Sequence, residues 1–348
     1  MLSGLRSWPR AFRCEGSYRR RAECIVVLSQ EISPTCDFYL RARLNRAALP
    51  VHYWKLGEEP PVSLEGAYVI VVRYVDGNSS SVIGKARPHL AGVAYLLDDD
   101  LVAAISDRTL PPHYSLFMLQ FWMRYGAWLR RTVSELWVAS AVLEQRYSEA
   151  GAVFRIGPAP TPFPLPHERP PVATDEVRIF YHGQKTHLPE RRWLRDIIAA
   201  VHETAHHCTF EIIGGTETQR WYRDLERVRV CPLELWPEYQ RRSARERFHI
   251  GLAPLVSTPF NTARSWVKYL DIARFGAVGI FADCAPYSEI IRSGENGILC
   301  PRDDKDAWIE ALTLLAGDAP LRNRLAARVD WPPSPVPPSL LSMLAPET

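Results

Sequence analysis

The chain has 348 residues, 47% of them apolar and 23% charged, with a formal net charge of +3. That length suits about two domains, and the balance excludes a disordered chain, a collagen-like fibre and a small disulfide scaffold. The longest apolar runs, such as 68–72, have the length of a strand and fall short of the roughly 18–20 residues of a membrane-spanning helix.

Residues 1–22 read as a basic, disordered arm. Arg6, Arg10, Arg13, Arg19, Arg20 and Arg21 face only Glu15 there, so the arm carries more than the whole net charge and the rest is slightly acidic. The body is therefore not expected to bind nucleic acid. The arm lacks the apolar stretch of a signal peptide. A solvated leader is its expected state, with peripheral contact at the inner face of a membrane as the alternative. Cysteines 14, 24, 36, 208, 231, 284 and 300 form no C-x-x-C pair. An odd, scattered count is expected as free thiols in a reducing, cytoplasmic setting.

From 23 to 157, short apolar runs alternate with helical patterns. Strands are expected at 24–29, 51–54, 67–74, 93–97, 136–139 and 152–156, and helices near 35–48, 79–87, 114–132 and 140–150. Residues 158–171, PAPTPFPLPHERPP, are half proline. Proline fixes φ and donates no hydrogen bond, so this stretch reads as an extended linker between two domains. From 172 to 330 the alternation resumes. Strands are expected at 177–181, 209–213, 228–230, 249–253, 277–281 and 298–300, and helices near 189–206, 235–245, 262–275, 286–293, 304–316 and 319–328. A second proline cluster at 331–338 is expected to end the folded body and leave a tail, 331–348. Alternating strands and helices predict an α/β fold with two parallel, doubly covered sheets and a cleft between their carboxyl ends.

Residues 259–300 carry the densest chemistry. Asn261 or Thr262 is positioned to cap a helix bearing Arg264, Ser265, Lys268 and Asp271. A helix N-terminus suits a phosphate, and Arg264 and Lys268, four apart, would share one face. Gly276 then ends the helix, and Tyr287, Glu289, Gly294, Asn296 and Gly297 follow the next strand.

In order and spacing this segment resembles the C-terminal domain of GT-B-fold glycosyltransferases, the large retaining, family 4-like group that uses nucleotide sugars. Asp271-Ile-Ala-Arg-Phe-Gly276 is similar to that group's acidic helix end, and Glu289-Ile-Ile-Arg-Ser-Gly294-Glu-Asn296-Gly297-Ile-Leu299 to its following loop. Upstream, Tyr181-His-Gly183-Gln-Lys185-Thr-His187 looks like the donor-phosphate loop, 210–215 like the next strand and turn, and 93–101 with Trp137-Val-Ala-Ser140 like elements of the acceptor domain. The likeness spans about 24–328. It departs at Ala263, eight before Asp271, where the group carries a glutamate.

The resemblance implies two Rossmann-like domains facing each other across a cleft, and sugar transfer from a nucleotide sugar to an acceptor hydroxyl with retention, without metal or separate cofactor. It implies that Gly183, Lys185, His187, Arg264, Ser265 and Lys268 bind the donor diphosphate, and that Asp271, Tyr287 and Glu289 hold the nucleotide or sugar. It implies that Asp98 and Asp99 orient the acceptor, which is a glycan, a lipid-linked sugar or a small molecule. The plainer reading of 98–100 is a strand end that caps a helix. Two alternatives stay open: an inactive subunit that binds glycan or nucleotide sugar, and an epimerase of the same architecture.

His202-Glu-Thr-Ala-His206 matches the zinc-protease pattern H-E-x-x-H, with Glu226 as a third candidate ligand. The run passes at once into a strand, so an exposed helix end is expected instead. Phe117, Phe121, Trp122, Tyr125 and Trp128 recur at helical spacing and read as core, with a groove for a lipid-linked acceptor as the alternative.

Overall fold

A computed structural model of the chain describes residues 12–14, 20–30, 33–159, 176–330 and 333–345. The basic arm outside 12–14 and 20–22, and most of the proline-rich 158–171, lie outside the described residues.

Six parallel strands form the first sheet: β1 (Cys24–Ser29), β2 (Val51–Lys55), β3 (Ala67–Val72), β4 (Gly92–Leu97), β5 (Glu135–Val138) and β6 (Val153–Arg155), in the order β2-β1-β3-β4-β5-β6. Its strands are almost wholly apolar because both faces are covered. Val26, Val69, Val93 and Leu136 point to the face packed by α2 (Gly77–Ala86), α3 (Pro112–Thr132) and α4 (Ala141–Tyr147). Ile25, Tyr68, Ala94 and Trp137, one residue out of phase, point to the other face, where the helical segment 34–44 (α1) lies.

The second sheet has β7 (Val177–Tyr181), β8 (Cys208–Ile213), β9 (Val228–Cys231), β10 (Ile250–Ala253), β11 (Val278–Ala282) and β12 (Ile298–Cys300), in the order β12-β11-β10-β7-β8-β9. Its helices are α5 (Leu188–Thr204), α6 (Thr216–Tyr222), α7 (Trp236–Arg245), α8 (Val267–Arg274), α9 (Lys305–Gly317) and α10 (Ala319–Ala327). α5 buries Leu194, Ile197, Ile198 and Val201 along one stripe, as its 3.6-residue period predicts. Strand order reverses between β1 and β3 in one sheet and between β7 and β10 in the other. Ligands bind at such switch points, beyond the carboxyl ends of the strands.

All twelve expected strands are present. The helix expected at 286–293 is reduced to a 3-10 turn, Tyr287–Glu289. There the Asn296 side chain accepts from Arg292 N at 2.8 Å and donates to Ile290 O at 3.1 Å, which holds the backbone in a turn. α6 was not anticipated. Nor do the prolines at 331–338 end the folded body. Residues 333–345 return to the first domain through α11 (Pro338–Ser342), where buried Ser339 donates to Glu135 at 2.6 Å and Ala48 N to Met343 O at 2.9 Å.

Beneath the cleft the domains share a buried ion pair. Asp37 of α1 is fully buried and accepts from Arg274 of α8 at 3.2 Å and Gln240 of α7 at 3.0 Å. The Arg274 guanidinium also lies 5.2 Å from the Phe38 ring and 5.0 Å from the Trp236 ring. Removing one partner leaves a buried charge uncompensated, which costs about 3–5 kcal/mol. Asp37→Ala is therefore expected to lower the urea unfolding free energy by that amount. A loss below about 1 kcal/mol would mean that the pair carries little of the inter-domain stability.

Candidate functional site

The site begins in the turn from β7 to α5. Chain direction reverses over 182–187, a 3-10 turn Lys185–His187 leads into the helix, and a proline sits in the first helical turn. Gly183 leaves no room for a side chain: a Cβ there would lie 2.9 Å from the His187 Cβ and 3.1 Å from the Tyr181 hydroxyl. Arg191, buried in the first turns of α5, clamps the loop. Its Nη1 donates to the carbonyls of Gly183, Gln184 and Ile213 at 3.0, 3.1 and 3.2 Å. The side chain of Lys185 lies outside the described residues.

Residues 254–266, which follow β10, pack against this turn through Glu190, a fully buried carboxylate. Glu190 Oε1 accepts from Asn261 Nδ2 at 2.7 Å and from Val256 N at 3.2 Å. Burial alone would raise its pKa, but His187 and Arg264 outweigh burial and hold it below the usual carboxylate value.

Arg264 stands at the centre. Its Nε donates to Asn261 Oδ1 at 2.9 Å, Nη2 donates to Thr186 Oγ1 at 3.2 Å, and Nη1 lies 2.9 Å from His187 Nε2. Its guanidinium covers the Phe260 ring at 4.9 Å and reaches within 4.0 Å of Asp99 in the other domain. Burial and then Arg264 push His187 down to about 3, so its ring is neutral and Nε2 accepts.

The expected helix 262–275 is shorter, and Arg264 is not on it. Asn261–Ala263 is a 3-10 turn, Arg264 is extended, and α8 starts at Val267. The capping side chains are committed elsewhere: Asn261 to Glu190 and Val256 O, and Thr262 to Pro259 O. Arg264 and Lys268 therefore do not share a helix face. They grip opposite ends of one loop instead, since Lys268 Nζ donates to His182 O at 2.5 Å and sits 3.3 Å from Asp271.

His182 lies behind the loop, buried between Tyr239 Oη and Glu211 Oε1 at 3.0 Å each. Burial pushes it down to about 4 despite Glu211. Glu211, also buried, is held at about 2 because His182 and Arg242 outweigh desolvation.

The first domain answers with a second ion cluster at its own switch point. Arg73, which follows β3, adopts the left-handed region at φ 60°, strained for a residue with a side chain. Its carbonyl accepts from Tyr95 Oη at 2.7 Å. Its guanidinium takes both oxygens of Asp98 and, at 2.9 Å, one of Asp99. Thr35 adds a hydrogen bond to Asp98 at 2.6 Å. Burial works against the charge on Arg73, but Asp98 and Asp99 hold it above its usual value. Both Asp98 oxygens are thus occupied, while Asp99 bridges toward Arg264. Asp100 is a cap: it is buried, accepts from Ala103 N at 2.8 Å and pairs with Arg146.

The remaining expected residues are spread along the cleft. Ser265 hydrogen-bonds Tyr39 of α1. Asp271 is buried with Oδ1 unpartnered. Tyr287 is buried with its ring 5.2 Å from Phe281. Glu289 is exposed and lines a cavity of about 250 Å³ with Ser140, Arg155, Ser265 and Trp266. Ala263, fully buried, accepts from Ser140 Oγ at 2.6 Å through its carbonyl. Arg73, Glu190 and Arg191 were not anticipated, and nothing in their local sequence marks them. The H-E-x-x-H run is not realised on one helix: α5 ends at Thr204, and His202 Nε2 accepts from Arg227 N at 3.2 Å. Among the described residues no group of three or more His, Cys, Asp or Glu is arranged to hold a metal ion.

His182 and His187 set a pH dependence. Both fold with pKa values below the unfolded value near 6.5, so between pH 6.5 and 4.5 the unfolded chain binds more protons and stability falls as pH falls. Each contributes up to about 1.4 kcal/mol per pH unit in that window. Unfolding free energies measured between pH 7 and 4.5 should show this decline, and His182→Gln should flatten it. An unchanged slope in the variant would mean that His182 is protonated in the fold.

No protein-family model matches the chain, and no curated protein matches it. Solved structures do. Sucrose-phosphate synthase from Thermosynechococcus elongatus matches with a TM-score of 0.56 at 14% identity, over 88% of this chain and 92% of its own. HepE from Anabaena, solved with UDP and glucose, matches with a TM-score of 0.53 at 13% identity, over 88% and 93%. TarM from S. aureus, solved with UDP, matches with a TM-score of 0.52 at 11% identity; 76% of this chain is covered, and it spans about half of TarM, 51%. At such identities the likeness is one of fold: this chain has the GT-B fold, two Rossmann-like domains facing each other across a cleft.

Proposed function

We propose that this chain transfers a sugar from a nucleotide sugar to an acceptor hydroxyl. One observation carries the reading. Arg264 and Lys268 converge on the glycine-pinned loop after β7, at the switch point of the second sheet, and Arg264 faces the Asp99 carboxylate across the cleft. Two proteins of the same fold were solved with UDP.

In this reading the diphosphate lies against 182–187. Arg264, Lys268 and the loop N–H groups neutralise the charge that develops as the nucleoside diphosphate leaves. Asp271 offers its unpartnered Oδ1 to a ribose hydroxyl. Asp99, held by Arg73, orients the acceptor hydroxyl. The bond from the anomeric carbon to the phosphate oxygen breaks, the acceptor oxygen bonds that carbon on the same face, and its proton passes to the departing phosphate. Neutral His187 fixes Arg264 without competing for the anion. With two fixed cations at the leaving group, this chemistry runs without a metal ion.

Ala263 favours a second reading, binding of the sugar nucleotide without turnover. The position eight before Asp271 has no carboxylate, and its side chain is buried among residues of the first domain. Incubation with a panel of UDP-sugars separates the two. Release of UDP in the presence of sugar acceptors supports transfer, and saturable binding without release supports the second reading.

Two variants test the roles. Arg264→Ala should weaken UDP binding by roughly 10- to 100-fold, about 1.4–2.8 kcal/mol, in calorimetry. Unchanged affinity would remove the donor site. Asp99→Asn should lower turnover by about 10-fold or more while UDP affinity stays within about 3-fold, because it belongs to the acceptor domain. Equal loss of both would assign Asp99 to binding.

A further inference from the structure

A second surface, on the face of the first sheet covered by α2 and α3, combines charge and apolar exposure. No aspartate or glutamate occurs in 77–97 or in 108–134, which together hold Lys85, Arg87, Arg108, Arg124, Arg130 and Arg131. These stretches build α2 and α3, which pack side by side on one face of the first sheet. α3 buries Met118, Phe121, Trp122 and Leu129 against that sheet. Its outward stripe, at helical spacing, carries Leu116, Phe117, Gln120, Met123, Arg124 and Arg131. Leu116, Phe117 and Met123 are 54%, 43% and 67% exposed, and they are three of the eight large hydrophobic side chains exposed among the described residues. Their clustering on one acid-free helix calls for a partner.

Beyond the C-terminal end of α3, at the amino ends of β4 and β5, lies a cavity of about 220 Å³. It is lined by Arg13, Arg87, Arg130 and Arg131 together with Gly92 and Ser134. It sits at the end of the first sheet opposite Asp98 and Asp99, so it is separate from the proposed donor site. The chain enters beside it: Phe12 is buried edge-on against Trp122 of α3, with ring centroids 6.5 Å apart, and Arg13 follows into the cavity wall.

We propose that this face docks on a bilayer containing anionic phospholipid. Leu116, Phe117 and Met123 enter the boundary between headgroups and acyl chains, and the four-arginine cavity takes a headgroup phosphate. A helix with exposed apolar side chains, arginine on its flanks and no acid has the composition of an interfacial helix. Charge complementarity selects the partner: the stretches 77–97 and 108–134 carry six basic residues and no acidic one, whereas the chain outside them and the N-terminal arm is acidic. Nucleic acid fits less well. Its phosphates would meet the arginines, but exposed leucine and methionine gain nothing from a sugar-phosphate backbone. The inference stands independently of the sugar-transfer reading, since it uses none of the residues assigned there to the donor or the acceptor.

Co-sedimentation of the full chain with vesicles tests it. The protein should pellet with mixed phosphatidylglycerol and phosphatidylcholine vesicles, at least about 10-fold more tightly than with phosphatidylcholine alone, and high salt should release it. Arg87→Gln with Arg131→Gln should weaken binding about 30-fold, at about 1 kcal/mol per arginine. Leu116→Ser with Met123→Ser should weaken it by about 10-fold or more. Each double variant should keep the UDP affinity and melting temperature of the parent, which separates lost docking from lost folding. Failure of the parent to pellet, equal binding to phosphatidylcholine alone, parental binding by the arginine variant, or full competition by a poly-uridylate RNA would each overturn the proposal.

Discussion

The loop 258–266 belongs to one domain by sequence and is buried in the other. It leaves β10 of the second sheet, yet Phe260 and Ala263 are fully buried in the apolar cluster of the first domain. Ser140 holds the Ala263 carbonyl from that side, and Glu190 holds Asn261 from the other. Arg264 follows immediately, so the position of the central cation is set by packing on both of its flanks. Its site depends on the two domains being closed over this segment.

The parallel topology supplies the rest. Each sheet reverses its strand order once, and each reversal leaves a crevice at the carboxyl ends of the strands. The loop 182–187 occupies one crevice and Arg73 the other. Each needs an otherwise unfavourable feature: a left-handed arginine on one side, and a buried and a partly buried histidine beside buried glutamates on the other. Such features persist where surrounding hydrogen bonds over-determine them. Here Tyr95 fixes the Arg73 carbonyl, Arg191 fixes the loop carbonyls, and Tyr239 with Glu211 fixes His182. The result is a pair of charge clusters, positive and acidic, that meet at Arg264 and Asp99.

The strands were legible in the sequence because buried parallel strands are continuous apolar runs bounded by polar turns, as in 67–72 and 177–181. The two parallel sheets were legible for the same reason, and the loop 181–187 stood out through its glycine and basic residues. What stayed hidden was decided by tertiary contacts. Asn261 looked like a helix cap, but Glu190, more than seventy residues earlier, takes its side chain and delays the helix to Val267. Arg73 looks like a surface arginine until the strand order brings it against Asp98. The prolines at 331–338 looked like an ending, yet they lead a segment back to Glu135. Local patterns cannot report a partner supplied from a distant part of the chain.

Binding of UDP to the loops at the second switch point is the central claim, and hydrogen–deuterium exchange reads it most directly. With saturating UDP, amides in 182–187 and 258–268 should exchange more slowly, and amides in 77–89 and 112–132 should be unchanged. Slowing elsewhere with none in those two loops, or no slowing at all, would contradict the account.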